Sequence, residues 1–291
     1  MEDTPSGNAE AFTQRLVAMR PKLHRYCARM TGSVIDGEDA VQEAMIKAIE
    51  AFPGQRSIDN VDAWVFRIAH NCALDLLRRR SRSPGWASEA AIEAVADPRA
   101  DSEHRLAAAA GLRTFMQLPP GPRAAVILMD VLGYSLQEIG AVLEASPATV
   151  KAALHRGRMR LRELAATDEA APLPPLLPRE IGQLAAYIER FNAHDFDAIR
   201  AMLAEDVRLD LVNRQQASGR AAVSRYFGNY AGAADWRLNA GLVEGRPAIL
   251  VADATGAIAY FVIIEWRGAA IARILDFRYA RYVMETAEMS A

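Results

Sequence analysis

Apolar residues recur at spacings of three and four along the first third of the chain. Phe12, Leu16, Met19, Leu23, Tyr26, Cys27 and Met30 form one stripe, which predicts an amphipathic helix ended by Thr31-Gly32. A second helix is predicted over 36–52, with Ala40, Val41, Ala44, Met45, Ala48 and Ile49 on one face, and a third over 62–80, apolar at Val65, Ile68, Ala69, Cys72, Leu76 and Leu77. Between them Phe52-Pro53-Gly54-Gln55-Arg56-Ser57 reads as a loop, because a Pro-Gly pair interrupts either regular structure. The pattern lapses over 83–104, where Ser83, Pro84, Gly85 and Pro98 mark a linker. It resumes over 105–166, broken once at Leu118-Pro119-Pro120-Gly121-Pro122. The stretch 124–165 reads as helix, turn, helix, turn, helix. Ser135 is placed to cap a helix over 136–143, the turn is Glu144-Ala145-Ser146, and Ser146-Pro147 sets a capping residue before a proline at the first helical position.

Residues 167–180 include the segment Thr167 to Pro178 with its four prolines and read as a second, semi-rigid linker. Beyond it the period changes. Helices are predicted over 181–192, 196–203 and 219–230, and strands over 207–212, 236–243, 248–252, 258–266 and 270–279, with turns at Glu244-Gly245-Arg246-Pro247, Ala254-Thr255-Gly256 and Arg267-Gly268. Helices first and a meander last suggest a curved antiparallel sheet folded over helices. The expected organisation is 11–82, a linker at 83–104, 105–166, a linker at 167–180, and 181–287.

Composition alters this picture through the distribution of charge. With 51% hydrophobic and 24% charged residues the chain is an ordinary globular sequence, and its net charge of −2 hides segregation. Arginines crowd 78–82 and 156–162, whereas Asp36, Glu38, Asp39, Glu43 and Glu50 face a single Lys47 in the second helix. Basic stripes can hold phosphates locally even on a near-neutral chain, because fields act within a Debye length of about 8–10 Å. Two cysteines imply no disulfide framework. The polar first ten residues do not read as a signal peptide, and the longest apolar run, 257–264, is too short to span a membrane, so a cytoplasmic location with no membrane partner is expected.

Helix 147–162 can turn Val150, Ala153, Leu154 and Leu161 inward and present Thr149, Lys151, Ala152, His155, Arg156 and Arg158, as a helix entering a major groove must. Gly140 is small enough to let the supporting helix approach closely. Leu76-Leu77-Arg78-Arg79-Arg80 adds a second basic site upstream. Each has a plainer account, a solvated arginine-rich helix in one case and a favourable cationic helix end in the other. Two basic elements joined by a linker suit one long nucleic acid contacted twice.

Here the residues resemble a family. Asp39-Ala-Val-Gln-Glu-Ala-Met-Ile-Lys-Ala48 and Ala63-Trp-Val-Phe-Arg-Ile-Ala-His-Asn-Cys-Ala-Leu-Asp-Leu-Leu-Arg-Arg-Arg80 resemble region 2 of extracytoplasmic-function (ECF) sigma factors. Leu118 to Leu128, Gly133 to Gly140 and Ser146 to Arg162 resemble their region 4. The resemblance covers about residues 11–165. It implies binding to core RNA polymerase through its β′ and β subunits, with Asp39, Gln42 and Glu43 docking on the β′ coiled coil. It implies promoter DNA as the second partner. Gln55, Arg56, Ser57 and Asn71 would open the −10 element and hold an unstacked base, with Arg78, Arg79 and Arg80 at the adjoining basic helix end. Lys151, Ala152, His155 and Arg156 would face the −35 element, and Arg158 or Arg160 its phosphates. Ala152 departs from the Ser or Arg common there. Trp64 is expected in the helical core.

Residues 181–287 resemble the SnoaL-like, ketosteroid-isomerase-like superfamily through Tyr187 to Val207 and Gly219 to Phe227. The fold class expected is therefore multidomain, with two all-α helical domains, sigma region 2 and a region 4 helix-turn-helix, followed by an α+β SnoaL-like curved-sheet domain. Its linker, Leu173-Pro-Pro-Leu-Leu-Pro178, and its loop, Asn213 to Gly219, depart from the WLPEP-type and DGGG-type motifs of one known group of sigma factors with such an extension. Leu173, Leu176 and Leu177 are too apolar for a free tether and are expected to dock on a helical domain. The superfamily's pocket can take a small-molecule ligand, and Asp210, Glu265, Asp276, Tyr226 and Tyr260 are of the residue types its isomerases use. No catalytic residue, cofactor or metal is nevertheless assigned, because fold alone does not supply chemistry. His194-Asp195 reads as a turn between helices. His24 with Cys27 and His70 with Cys72 fall short of a tetrahedral zinc set, and buried cysteine acting as a small hydrophobe is the simpler account. Two other classes stay open, a ligand-responsive DNA-binding regulator that never touches polymerase and an enzyme with a vestigial DNA-binding half.

Overall fold

The structure is a computed structural model, and it describes residues 5–54, 58–81, 107, 110–167, 178–228 and 236–290. The chain divides into two compact units, Met1–Ala171 and Pro172–Ala291.

The first unit is helical. Helix α1 (Pro5–Thr31) ends where Gly32 takes a φ of 75°, and Ser33 starts α2 (Val34–Ala51) by accepting from the Asp36 N–H at 3.3 Å. The two run antiparallel and very close. A Cβ on Gly37 would lie 2.6 Å from the backbone of Ala28, so only glycine fits there. After the turn Phe52–Gly54, α3 (Val61–Ser81) completes the lobe, with Asn60 Oδ1 accepting from the Ala63 N–H at 3.0 Å. Leu16, Leu23, Tyr26, Val41, Val65, Phe66 and Ala69 are buried between the three helices, and Trp64 packs against the same core, 6.0 Å from Phe12.

The helix-turn-helix segment comprises α4 (Leu112–Met116), α5 (Pro120–Val126) continuing as a π turn over Ile127–Val131, α6 (Leu136–Leu143) and α7 (Pro147–Thr167). It packs on α1 and α3 in one shared core. Phe66 meets Tyr134 at 5.2 Å, the Lys22 ammonium lies 4.0 Å above the Tyr134 ring, and Arg67 pairs with Glu144 at 2.8 Å. Gly140 does not serve the helix crossing as expected. Its missing Cβ makes room for the Ala145 carbonyl, 2.8 Å away, in the turn, while Gly157 permits the crossing of α7 over α5, where a Cβ would meet Val126 at 2.5 Å.

Four side chains weighed as metal ligands have other partners. His24 Nε2 lies 3.0 Å from the Val34 carbonyl, His70 Nδ1 2.6 Å from the Tyr26 hydroxyl, Cys27 Sγ 3.9 Å from the Ala69 carbonyl, and Cys72 Sγ 3.6 Å from the Lys47 ammonium. Burial pushes both thiols up and lowers the His70 imidazole to about 4, with the nearby Arg78 charge adding to the latter.

In the second unit α8 (Pro178–Asn192) and α9 (Phe196–Ala201) precede β1 (Leu203–Leu211), β2 (Gln215–Ser218), α10 (Arg220–Gly228), β3 (Arg237–Val243), β4 (Arg246–Ala252), β5 (Ile258–Arg267), β6 (Ala270–Asp276) and β7 (Met289–Ser290). The sheet order is β2-β1-β6-β5-β4-β3-β7. β3 to β6 form the expected antiparallel meander, and the expectation of a wholly antiparallel sheet is corrected at one pairing. β1 pairs with β6 in parallel, because α10 and four further strands separate them in the chain. β2 occupies what reads in the sequence as loop, and β1 begins at Leu203, inside the segment expected to be helix. Pro178–Glu180 belong to α8 and not to the linker, proline being suited to a first helical turn. The helices cover the sheet face that carries Leu209, Ile249, Val251, Val262, Ile264 and Ile274. Residues 83–104, Leu173, Leu176 and Leu177 lie outside the described residues. No helix among the described residues is long and apolar enough to cross a membrane.

Candidate nucleic-acid interface

The turn before α7 is built by local hydrogen bonds. Ser135 Oγ accepts from the Glu138 N–H at 3.3 Å while Glu138 accepts from the Ser135 N–H at 2.8 Å, a reciprocal cap that fixes the start of α6. The Ser135 hydroxyl, donating to the Glu138 carboxylate at 2.7 Å, and then the Ser135 N–H hold that carboxyl below the usual carboxylate range. Glu144 closes α6 in the left-handed region at φ 52°, and Ser146 Oγ accepts from the Thr149 N–H at 3.2 Å to start α7. Val150, Ala153, Leu154 and Leu161 are buried, which turns the opposite face of α7 outward.

On that outer face Thr149, Lys151, Ala152, Arg156 and Arg160 are exposed. Lys151 and Arg156 have no ion-pair partner among the described residues. The Thr149 hydroxyl lies 2.9 Å from Ser146 Oγ, so it shares the cap. His155 is half-buried, and its Nε2 is shut from solvent with no hydrogen-bond partner among the described residues. Arg160 reaches Glu163 one turn on, at 3.1 Å. Arg158 is turned inward. Its guanidinium clasps Asp130 with contacts of 2.9 and 2.6 Å, and the Asp130 side chain is wholly buried. This bidentate pair ties α7 to the π turn before the helix-turn-helix. Sequence reading missed it, although an acid inside the apolar run Val126–Leu132 was a signal, since a buried carboxylate requires a partner.

The basic end of α3 is arranged differently. Asn71 is exposed, but Arg78 pairs with Asp75 at 3.0 Å, Arg79 with Glu43 at 3.0 Å, and Arg80 with the largely buried Asp36. Asp36 and Glu43 belong to α2, so the acidic helix neutralises part of the basic one. Glu43 also accepts from Lys47 at 2.7 Å. The Lys47 hydrogen bond holds the Glu43 carboxyl below its usual range, opposed in part by burial and helped by Arg79. Asp39 and Gln42 are half-buried beside it on α2, and Glu38 is buried against Arg20. Gln55, Arg56 and Ser57 lie outside the described residues.

In the second unit the five candidate residues split between the two faces of the sheet. Asp276 is fully buried on the helix-covered face, where it accepts from the Tyr226 hydroxyl at 2.6 Å and from the Arg278 N–H at 2.8 Å. Tyr260 lies on the same face, edge-on to Trp236 at 5.7 Å. Asp210 points the other way, where Arg273 donates to it at 2.6 Å and also reaches Glu265 at 3.7 Å. His194, at φ 59°, and Asp195, which caps α9 by accepting from the Ala198 N–H at 3.0 Å, form a turn between helices.

An α-helical unit carrying a capped helix-turn-helix, joined to a seven-stranded α+β unit, is the class that these features define. Residues 16–83 match Sigma-70 region 2, residues 112–161 match Sigma-70 region 4, and residues 184–282 match the SnoaL-like domain. SigM of Mycobacterium tuberculosis, an ECF RNA polymerase sigma factor, is 34% identical over 159 residues, covering 55% of this chain and 79% of SigM. SigG of the same species, also an ECF sigma factor, is 30% identical over 227 residues, covering 68% of this chain and 59% of its own length. The solved structure of the M. tuberculosis ECF sigma factor SigJ is similar over 90% of this chain and 95% of its own, at 22% identity and a TM-score of 0.35. The chain belongs to the ECF RNA polymerase sigma factors.

Proposed function

We propose that the chain binds core RNA polymerase and directs it to specific promoters. Asp39, Gln42 and Glu43 dock on polymerase. Gln55, Arg56, Ser57, Asn71 and the Arg78–Arg80 cluster engage the −10 element. Thr149, Lys151, Ala152, His155 and Arg156 face the −35 element, and Arg160 meets phosphate there. Arg158, first grouped with Arg160, acts through Asp130 to hold α7 in place. The observation that carries this reading is the outward face of α7, where Lys151 and Arg156 have no ion-pair partner among the described residues, on a helix whose opposite side is anchored by a buried core and a buried acid. In vitro transcription with core polymerase on a library of genomic fragments tests it. Promoter-specific initiation is expected, and absence of initiation from every fragment sinks the reading.

Engaging both elements requires the helical unit to open. Elements named −10 and −35 lie about 25 base pairs apart, roughly 85 Å of duplex at about 3.4 Å per pair. A compact unit of about 171 residues has a radius of gyration near 16 Å, hence a diameter of about 40 Å. The contacts that must part include Phe66 with Tyr134, Lys22 with Tyr134, Arg67 with Glu144 and Arg123 with the Met30 carbonyl.

The SnoaL-like domain is proposed to regulate this activity from within the chain, with a small-molecule ligand as one means and no catalysis assigned. Truncation after Ala166 should change promoter activity. Identical transcription by the full-length and truncated proteins at equal concentration removes the regulatory role.

A further inference from the structure

The outer face of α2 carries more than acids. At 100° per residue in a 3.6-residue helix, Asp39, Gln42, Glu43, Ile46, Ile49 and Glu50 fall within an arc of about 120°. Ile46 is 50% exposed and Ile49 48% exposed. The one other exposed large apolar side chain among the described residues of the helical unit is Val17, and it lies on α1 level with the same half of α2, because Phe12 stacks on Phe52 and Arg20 reaches Met45. Single apolar residues scattered over a surface need no explanation. Ile46 and Ile49 instead share one arc with Asp39, Glu43 and Glu50, on a helix with five acids and one lysine.

The sequence reading placed Ile49 on the buried stripe of α2, and the structure turns it outward. Ala44 and Ala48 fill the contact with α1 and α3 instead, and their small side chains leave no depth for a branched one beside them. Two β-branched residues held in water on a rigid helix suit an interface, because little side-chain entropy is lost when they are buried.

We propose that Ile46 and Ile49 are the anchors of the polymerase-docking face, seated in an apolar seam of a basic helical surface on core polymerase, with Asp39, Glu43 and Glu50 forming its charged rim. This rests on the assignment of α2 to polymerase docking. With five acids against one lysine, α2 favours a basic partner and disfavours a second copy of itself laid against it, although Glu43 already pairs with Lys47 and Arg79. Affinity then comes from the two isoleucines, and the acids steer encounter and set orientation.

The test measures binding of the full-length chain to purified bacterial core RNA polymerase at two salt concentrations. The proteins compared are wild type, Ile46→Ala with Ile49→Ala, and Asp39→Asn with Glu43→Gln. Thermal melts establish that the substitutions leave the fold intact. The isoleucine pair should weaken binding about a hundredfold, mostly through faster dissociation and almost equally at both salts. The charge pair should slow association, with a loss that shrinks as salt rises. Wild-type affinity in the isoleucine variant, with the charge variant impaired, overturns the anchor assignment and leaves polymerase docking by α2 standing. No polymerase binding by wild type removes the docking assignment itself. Wild-type dimers in sedimentation that the isoleucine substitutions convert to monomers assign the patch to a second copy and overturn the proposal.

Discussion

Two arginine-rich helix faces in the helical unit look alike in sequence and differ in structure. At the end of α3, Arg78, Arg79 and Arg80 each meet a carboxylate, two of them supplied by α2. On α7 the outward residues Lys151 and Arg156 have no ion-pair partner among the described residues, whereas Arg158 is committed to a buried acid. The number of arginines therefore says little about how many are available to a phosphate. What decides it is whether an acid from another element reaches the same place. At α3 the acids lie on the helix proposed to grip polymerase, so polymerase and DNA contend for neighbouring groups. At α7 the acid is beneath the helix and leaves the outer face alone.

The largest effect expected from this contrast is on stability. Arg158→Ala takes the bidentate guanidinium from Asp130, whose side chain is wholly buried, and breaking such a pair costs about 3–5 kcal/mol. Denaturant unfolding should show this loss, and a variant as stable as wild type would return Arg158 to the DNA-facing set. Next, Lys151→Ala with Arg156→Ala should leave the melting temperature unchanged and weaken specific promoter binding by about tenfold or more per residue, since a good base contact is worth about 1–3 kcal/mol. Equal loss on specific and random DNA would instead make both residues phosphate contacts.

The inner face of α3 adds a pH dependence. Burial holds the His70 imidazole at about 4, below its unfolded value near 6.5. The unfolded chain therefore binds more protons between those values, and stability should fall as pH drops from about 6.5 to 4. His70→Phe should flatten that slope in melts taken across the window, and an unchanged slope rules out His70 as its source. The smallest effect is at the surface pair Arg79–Glu43. A double-mutant cycle with Arg79→Ala and Glu43→Gln should give about 0.2–1 kcal/mol of coupling, lost at high salt. A larger, salt-insensitive value would mean that α3 is locked to α2 and is not readily available to DNA.

Most of the helical architecture was legible in the chain because its signals are local. The stripe from Phe12 to Met30 and the caps at Ser135 and Ser146 specify helix ends by residues three or four apart. The groups that decide availability were not legible. Arg79 meets Glu43 across 36 positions and Arg158 meets Asp130 across 28, distances that no periodicity reports. Ile49 was assigned to the core because it continues an apolar stripe, but alanines at 44 and 48 bring the neighbouring helices too close for it. In the second unit β2 was hidden because Gln215-Gln-Ala-Ser218 has strand pairing without strand composition, and the parallel pairing of β1 with β6 depends on a crossover that local turns do not reveal.

Arg123 bears on how the helical unit opens. Its buried guanidinium donates to the Leu118 carbonyl at 3.1 and 2.6 Å and to the Met116 carbonyl at 3.1 Å, all within the helix-turn-helix half, and to the Met30 carbonyl of α1 at 2.7 Å. Among the described residues that last bond is the one Arg123 makes to α1, so the proposed opening would break it and leave the other three in place, with water able to replace the carbonyl at the freed nitrogen. The cation would stay moored in its own half, which favours a detached half that keeps its shape and a parting surface that closes again.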